Sequence, residues 1–502
     1  MPNRKASVAT TSGLRIRRHC IAESVNGVNY HNAPVAAVNS SYAGVYSLQE
    51  YISLALDQHP KVQSARWSVD SAAWQIPVAA SLEDPKLSVT ALPAAIETAA
   101  GPQNVQIGIS QKVPIREKQE RKEAIAFAAT EEKRALLSAA ERAVATEVRE
   151  AYADLLFRQE ALEILDDERA LLAEVTEIIV ALYKTNKVSQ QDIAQAELAQ
   201  LQIEQELIAA RLQLKTAKSR MARLVRVAPG TDLSARPEPC LARLNADVQT
   251  VIQTAVQSRP ELHALIQEAN QDRMSACLAK LDYIPDPTIG ATWVGIGGSG
   301  LSPIANGNDA VLLNVSMNLP VYRNRIEGKV KSAEARAIST ARRYDDLRDE
   351  TQQQVYDYYT GLNSKLELIE LLRGEIIPKA DETLTVAVKA YSVSEVDIQQ
   401  VLASWQKLIK LEMSLRELER NYRRSLASLE RVVGIDLSTY MDCEITRLPP
   451  GNQSTTPTEP NAPHETNVTT RVFDISAIAA GSGSNEPYTA VTPVPTCFSR
   501  AP

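Results

Sequence analysis

The stretch Val105-Gln-Ile-Gly-Ile-Ser-Gln-Lys-Val-Pro114 alternates apolar residues with polar or small ones and ends in a proline. Val311-Leu-Leu-Asn-Val-Ser-Met-Asn-Leu-Pro320 follows the same plan in the second half of the chain. An alternation with a period of two predicts a β-strand whose two faces differ in polarity. Proline suits the first turn of a helix, because the N–H that it lacks would have no partner there. Each stretch therefore predicts a strand that leads directly into a helix.

Each of these strands has a predicted partner strand before it. We expect four strands, at about 86–92, 104–113, 287–295 and 310–319, each close to the about 9–11 residues of a tilted membrane crossing. One apolar and one polar face are typical of a transmembrane β-barrel, although a soluble α+β domain fits the alternation equally well. Four strands cannot close a barrel, whereas three copies of the chain would supply 12. The apolar faces carry Val105, Ile107, Ile109, Leu313, Val315, Met317 and Leu319.

A long helical run follows each predicted hairpin. From Ile115 to Leu182 neither glycine nor proline interrupts the first run. Apolar residues recur every seven positions, which indicates coiled-coil seams. A helix of about 65 residues is about 100 Å long, so the runs predict an extended assembly. The heptad positions are Val148, Leu155, Leu162, Leu165, Leu172, Ile179, Leu207, Leu214, Met221, Val355, Leu362, Ile369 and Ile376.

The two halves of the chain repeat one organisation, since residues 248–260 echo residues 48–60 in their apolar pattern and final proline. The tail is mostly Pro, Thr, Ser and Asn, a composition typical of disorder. The predicted boundaries are an irregular leader at 1–44, a first repeat at 45–233 with a helical hairpin at about 114–228, a second repeat at 234–437 with a hairpin at about 320–433, and a disordered tail at 438–502.

Composition excludes several classes of function. A net charge of −7 with interspersed signs gives no basic stripe for nucleic acid. The five cysteines are far apart and predict isolated thiols. The five histidines pair with no Cys, Asp or Glu at ligand spacing, so we expect no metal site and no cofactor. No nucleophile and base stand at a spacing that would indicate an enzyme.

The sequence gives no simple targeting signal. No segment has the about 18 uninterrupted apolar residues of a membrane helix. The N-terminus is basic, but no apolar core follows it, so a secretory signal is not predicted. A misassigned start codon or a loss of function would explain the missing signal.

Three pairs of motifs, one from each half, carry a family resemblance. They are Gln58-His-Pro60-Lys-Val and Ser258-Arg-Pro260-Glu-Leu, Ile109-Ser-Gln-Lys-Val-Pro114 and Val315-Ser-Met-Asn-Leu-Pro320, and Tyr183-x-x-Asn186-x-Val188-Ser189 and Tyr391-x-x-Ser394-x-Val396. In this combination the chain resembles the TolC-like outer-membrane efflux factors over nearly all of residues 46–437. The run Arg323-Asn-Arg325-Ile326-Glu-Gly328 is similar to the heavy-metal branch, represented by CusC and CzcC.

The resemblance implies a fold, a location and partners. The fold is mainly α with a small β part: long coiled-coil hairpins and four membrane strands per chain. Three chains would form a 12-stranded β-barrel continuous with an α-helical barrel. The trimer would lie in outer-membrane lipid, with a tunnel through the periplasm. A periplasmic adaptor (membrane fusion) protein and an inner-membrane pump would be its partners, and it would passively conduct small molecules or metal ions.

The resemblance also implies functional positions. Pro114 and Pro320 correspond to the strand-to-helix junctions. Gln400 and Ala403 stand at gate positions that are often acidic in the family, and Asp192 and Asp397 are candidate substitutes or ordinary helix-end acids. The residues at the tunnel tip, where adaptor contact is expected, are Tyr183, Asn186, Val188, Asp192, Tyr391, Ser394, Val396 and Asp397.

Two other functions remain open at the level of sequence. A soluble coiled-coil scaffold or adaptor would fit the heptads and the absent secretory signal. An outer-membrane duct of a type I protein secretion system would use the same kind of channel.

Overall fold

The computed structural model describes residues 44–98, 100–184, 188–237, 240–298, 307–393 and 395–446. The predicted leader, up to residue 43, and the tail from residue 447 lie outside the described residues. The helices are α1 (Leu48–Gln58), α2 (Pro60–Ala80), α3 (Arg116–Lys184), α4 (Gln190–Leu224), α5 (Val248–Ser258), α6 (Pro260–Lys280), α7 (Arg323–Leu371), α8 (Ile377–Ser392) and α9 (Ile398–Val433). The strands are β1 (Gly44–Tyr46), β2 (Lys86–Thr98), β3 (Gly101–Lys112), β4 (Leu233–Ala235), β5 (Cys240–Leu244), β6 (Pro287–Ile296), β7 (Ala310–Met317) and β8 (Met441–Thr446).

Long helices dominate the fold, as the heptads predict. Helix α3 alone runs for 69 residues, because glycine and proline are absent from its interior. Apolar side chains at seven-residue spacing lie on one face of such a helix and pack against its neighbours. The buried heptad positions are Val148, Leu155, Leu165, Leu172, Ile179, Leu207, Met221, Val355, Leu362 and Ile369. The mainly helical fold with a small antiparallel sheet is therefore confirmed.

The last predicted heptad position is wrong by one residue. A π-helical turn, Leu372–Ile376, joins α7 to α8. Such a turn adds one residue to the helix and shifts the seam. The seam therefore continues at Ile377 and not at Ile376. The turn lies directly before Pro378, whose missing N–H cannot close an ordinary helical hydrogen bond.

A four-stranded antiparallel sheet has the order β2-β3-β6-β7. Its central pairing joins the hairpin of the first half to that of the second, with Ile107 opposite Trp293. Strand β2 is longer than predicted, because the register shifts between Ala91 and Ile96. Pro93 lies in this bulge, where its missing N–H costs no ladder hydrogen bond, so the strand continues beyond it.

The two prolines lie between strand and helix, but not in the first helical turn as predicted. Strand β3 ends at Lys112 and α3 begins at Arg116, so Pro114 lies in a short connection. Helical hydrogen bonding begins where the Lys118 N–H donates to the Ile115 carbonyl at 3.0 Å. Pro320 likewise precedes the start of α7. A proline favours extended backbone in the residue before it, which keeps each connection out of the helix.

The start of the predicted disordered tail has regular structure instead. Tyr440 accepts a hydrogen bond from the Asn245 N–H at 2.9 Å, and β8 follows directly. Strands β5 and β8 form one two-stranded sheet, and β1 and β4 form a second, parallel one. Disorder was therefore the wrong prediction for residues 438–446, because pairing with distant residues supplies the backbone partners that the local sequence does not.

The described chain forms two compact units, and each combines segments from both halves. One contains residues 44–79, 125–271 and 338–442, and the other contains residues 80–124, 272–337 and 443–446. Within the described residues no helix is both long and apolar enough to cross a membrane. Cys277 is disulfide-bonded, which corrects the expectation of an isolated thiol at this position.

Candidate functional site

The ends of the two helical hairpins share one apolar cluster. Helices α3, α4, α8 and α9 contribute its buried side chains, which include Ile179 and Ile203. We call this set the hairpin cluster. Val188 and Val396, from the two connections, pack against it, and Tyr391 is part of its buried core. The structure therefore brings together three of the eight tip residues that the resemblance implies.

Asp192 acts as a helix cap at the first hairpin end. Its carboxylate accepts hydrogen bonds from the Ser189 N–H at 3.2 Å and from the Ser189 hydroxyl at 3.1 Å. A carboxylate in the first turn also interacts favourably with the helix dipole of α4. Asp192 thus holds the start of α4, which is the helix-end role considered for it from sequence.

Tyr391 is the buried polar group of the second hairpin end. Its side chain is 4% exposed, and within the described residues its hydroxyl has no hydrogen-bond partner. Burial first, and then the negative charges of Asp192 and Asp397, together raise the pKa of Tyr391 to about 12. Asp397 occupies the N-cap position of α9. The two acids and the phenol therefore approach one another where the hairpins meet.

Of the three remaining tip residues, one lies within the described part of the chain. Tyr183, in the last turn of α3, is 42% exposed. Asn186 and Ser394 lie outside the described residues.

The gate positions lie beside a groove between α8 and α9. The groove has a volume of about 670 Å³. Gln400 and Ala403 line it from α9, and Lys379 and Thr383 line it from α8. No carboxylate comes from the two gate positions themselves, so a ring of acids at these positions is not available to this chain.

The hairpin cluster also holds a polar pair that the sequence interpretation missed. Glu168 of α3 is buried and accepts a hydrogen bond from the indole N–H of Trp405 of α9. Counted from Leu165, Glu168 is at i+3 and Leu172 is at i+7. Glu168 therefore occupies a core position of the seam. A charged residue at such a position is the signal that could have identified it.

The described residues contain no group of three or more His, Cys, Asp or Glu side chains that could hold a metal ion.

Comparisons with known proteins agree on one fold. Residues 51–225 match the family model described as outer membrane efflux protein. A crystal structure of CusC superposes with a TM-score of 0.67 at 13% identity, covering 79% of this chain and 94% of that one. VceC from Vibrio cholerae gives 0.65 at 19% identity, covering 78% and 97% of the two chains. The CmeC outer membrane channel from Campylobacter jejuni gives 0.63 at 14%, covering 78% and 86%.

No curated protein matches the chain. CusC is not more similar in sequence than VceC, so the heavy-metal branch stays a prediction. The family model covers the first helical hairpin, whereas the fold shared with CusC covers 79% of the chain. Residues 51–225 are thus similar to the outer membrane efflux protein family, and the chain shares the fold of the CusC, VceC and CmeC structures.

Proposed function

We propose that this chain is the outer-membrane exit duct of a tripartite efflux system. Three copies would place their four-stranded sheets edge to edge in a barrel of 12 strands, and their helices would form a tunnel in the periplasm. The family consists of non-enzymatic channel proteins. Conduction is accordingly passive, while energy and the choice of substrate belong to partner proteins.

The observation that carries this proposal is the register of the sheet. Across all four strands, residues in register on one face are apolar, as in the row Val89, Ile107, Trp293 and Val311. The rows of the opposite face are mostly small or polar, as in Ser88, Gly108, Thr292 and Leu312, where only the last is apolar. Lipid on one side and water on the other favour this division in a membrane barrel.

The open edges of the sheet and an exposed helix face support a multimer. Strands β2 and β7 each have a neighbour on one side only within the described sheet, and an open edge in lipid is costly. On α2, Trp67 and Trp74 are 73% and 75% exposed and lie two turns apart with Val78. Large apolar side chains aligned in this way favour contact with another chain.

The hairpin ends are the proposed contact with a periplasmic adaptor protein, which in turn engages an inner-membrane pump. Tyr183, Val188 and Val396 supply aromatic and apolar surface there, while Tyr391 lies in the buried core of the hairpin cluster. Asn186 and Ser394 belong to the same proposed surface. Asp192, Asp397, Gln400 and Ala403 are proposed to line or hold the gate. Export of small molecules or metal ions fits this duct, and the run from Arg323 to Gly328 supports the heavy-metal branch.

The test places charge on the two faces of the sheet separately. Ile107→Arg and Val315→Arg put a guanidinium on the apolar face and should each cost about 2–4 kcal/mol if that face meets lipid. Gln106→Arg and Ser316→Arg are the matched controls on the opposite face, beside the same partner strands. Detergent-extracted trimer in the outer-membrane fraction should fall for the first pair only.

A soluble monomer would overturn the proposal, and so would equal tolerance of all four substitutions. The latter result would favour a soluble scaffold with half-exposed strands.

A further inference from the structure

The apolar surface of the four-stranded sheet continues beyond the end of strand β7. Leu313 and Val315 are exposed on the apolar face of β7 itself. In the connection that follows, Leu319, Val321 and Tyr322 are 68%, 70% and 76% exposed. Three large side chains therefore extend the apolar face from the strand towards α7.

The connection between α6 and β6 lies beside this segment. Pro287, the first residue of β6, is opposite the last residue of β7, so the residues just before β6 run alongside those just after β7. Tyr283 and Ile284 are both exposed there. Lys329 of α7 pairs with Asp282 at 2.9 Å and joins this connection to the start of α7. A second tyrosine and an isoleucine thus belong to the same surface.

Two arginines follow Tyr322 directly. Arg323 and Arg325 are both exposed, and neither forms an ion pair within the part of the chain that the structure describes. Glu327, the first acid on α7, pairs with Lys331 at 2.7 Å. Positive charge in the first turn of a helix is opposed by the helix dipole, so these arginines do not stabilise α7. Their charge is left for an anion outside the chain.

The corresponding connection of the first half has no such pair of cations. At the start of α3, Arg116 pairs with Glu120 at 2.8 Å, and Arg121 pairs with Glu117 at 3.7 Å. Both of these arginines are therefore compensated within α3. The uncompensated pair is a property of the β7–α7 connection alone among these two.

The dimensions of a membrane barrel place the two arginines at the edge of the apolar band. From Val311 to Leu319, steps of about 3.4 Å per residue cover about 27 Å along the strand. With a tilt of about 40°, this length spans about 21 Å of an apolar band about 25 Å tall. Arg323 and Arg325 come just after that limit, at the level of lipid headgroups. Tyrosine prefers the same level, because its ring is apolar and its hydroxyl is polar.

We propose that this surface binds anionic phospholipid, with phosphatidylglycerol as the occupant. The binding residues, which we call the junction collar, are Tyr283, Ile284, Tyr322, Arg323 and Arg325. Apolar members would contact the acyl chains near the headgroups, and each guanidinium would donate hydrogen bonds to a phosphate. At about 100° per residue the two arginines lie about 200° apart on α7, so they reach different headgroups. The proposal rests on the proposed function, because it needs the sheet in a membrane.

Titration of the full-length, detergent-extracted protein with short-chain lipid tests the collar. Dioctanoyl phosphatidylglycerol should raise the midpoint of thermal unfolding, and the rise gives an apparent Kd. Dioctanoyl phosphatidylcholine has the same chains and no net charge, so it measures the contribution of the chains. Inorganic phosphate measures binding of a free anion. Phosphatidylglycerol should bind more tightly than phosphatidylcholine, and this preference should fall as salt is added.

Substitutions then locate the preference. Arg323→Gln with Arg325→Gln should weaken phosphatidylglycerol binding about 5-fold per arginine, and about 25-fold together, and leave phosphatidylcholine binding unchanged. Arg323→Lys with Arg325→Lys keeps the charge and should keep most of the preference. Arg116→Gln is the matched control, because Arg116 is exposed at the corresponding connection but already has Glu120 as partner. Trimer yield should be unchanged in all these variants.

Equal affinity for the two lipids would overturn the collar and leave the duct standing. The same holds if the preference survives Arg323→Gln with Arg325→Gln, or if Arg116→Gln removes it equally. A midpoint shift with inorganic phosphate as large as that with phosphatidylglycerol would show a free anion as the occupant and overturn the lipid. A soluble monomer would overturn both proposals.

Discussion

The indole N–H of Trp405 donates to a Glu168 carboxylate oxygen at 2.5 Å and joins α9 to α3 inside the hairpin cluster. The pKa of Glu168 is raised to about 7, with burial as the largest cause. The negative charges of Glu412, Asp167 and Asp381 act in the same direction, and the Trp405 hydrogen bond acts in the opposite direction. Glu168 is therefore a buried carboxyl that favours its protonated form near neutral pH.

Stability of the helical hairpins should fall as pH rises from about 4.5 to 7. The folded chain holds the Glu168 proton more tightly than the unfolded chain, so ionisation of Glu168 in this window favours unfolding. The full loss of stability from this group is reached above about pH 7. With solvent screening we expect about 1–2 kcal/mol across the window. Denaturant unfolding of the chain and of Glu168→Gln, from pH 5 to 8, measures the difference.

A second buried glutamate gives the control for this prediction. Glu419 forms ion pairs with Arg373 and with Arg416, so its charge is compensated. Glu419→Gln should lower stability at every pH but keep the slope between pH 5 and 7. An unchanged slope in Glu168→Gln would exclude Glu168 as the source.

Gly434→Ala should destabilise the end of α9. Gly434 has a φ of 83°, in the left-handed region that favours glycine. A Cβ there would also lie 2.5 Å from the Ser258 carbonyl oxygen and 2.9 Å from the Arg259 Cα, and backbone atoms cannot easily move away. The conformational cost alone is about 1–3 kcal/mol.

Thermal unfolding of Gly434→Ala should be compared with that of Gly328→Ala. A Cβ at Gly328, in α7, meets no heavy atom within 4 Å, and alanine favours the helix by about 0.5–1 kcal/mol. Equal effects of the two substitutions would contradict the packing at Gly434.

Lys118→Met should loosen the start of α3. The Lys118 ammonium is buried and donates to the Ile284 carbonyl at 2.7 Å and to Asp286 at 2.6 Å. Among the described residues, its loss leaves Asp286 paired with Lys112 only, at 3.6 Å, and should cost about 3 kcal/mol. Adding Asp286→Asn should recover part of this loss, because the unpaired charge is then removed.

Denaturant midpoints of the two single variants and the double variant give the coupling between Lys118 and Asp286. Lys331→Met is the matched control, since Lys331 pairs with Glu327 on an exposed helix surface, where an ion pair contributes little to stability. Additive effects of Lys118→Met and Asp286→Asn would show that the pair does not act as a unit.

Features that depend on local spacing could be predicted from the sequence, and features that depend on distant pairing could not. The seams through Val148 and Leu362 follow from heptads, and the faces of the sheet follow from alternation, because both are periodic along the chain. The shift from Ile376 to Ile377 was missed because heptad counting takes no account of the backbone donor that Pro378 lacks. Strand β1 pairs with β4, whose residues are remote in sequence, so no local pattern indicates it.

At the hairpin ends, too, a local feature could be predicted from the sequence and a feature that depends on distant contacts could not. Asp192 is recognisable as a capping acid because Ser189 stands three residues before it. The burial of Tyr391 results from the meeting of two hairpins and depends on contacts that neither segment contains alone.

Substitutions at Tyr391 should separate packing from gating. Tyr391→Phe keeps the ring in the hairpin cluster and removes a hydroxyl that is buried and unpaired within the described residues, so stability should be unchanged or about 1 kcal/mol higher. Tyr391→Asp instead places a charge in the apolar cluster, near Asp192 and Asp397, and should loosen the hairpin ends. Export measured in cells should change strongly for Tyr391→Asp and little for Tyr391→Phe, with trimer yield preserved in both.

Val396→Asp, at the rim of the same cluster, should reduce export without reducing trimer yield, because the strands are untouched. Normal export by both aspartate variants would contradict a role for this end of the hairpins, and a loss of trimer with Tyr391→Phe would show that the hydroxyl has a partner in the assembled protein.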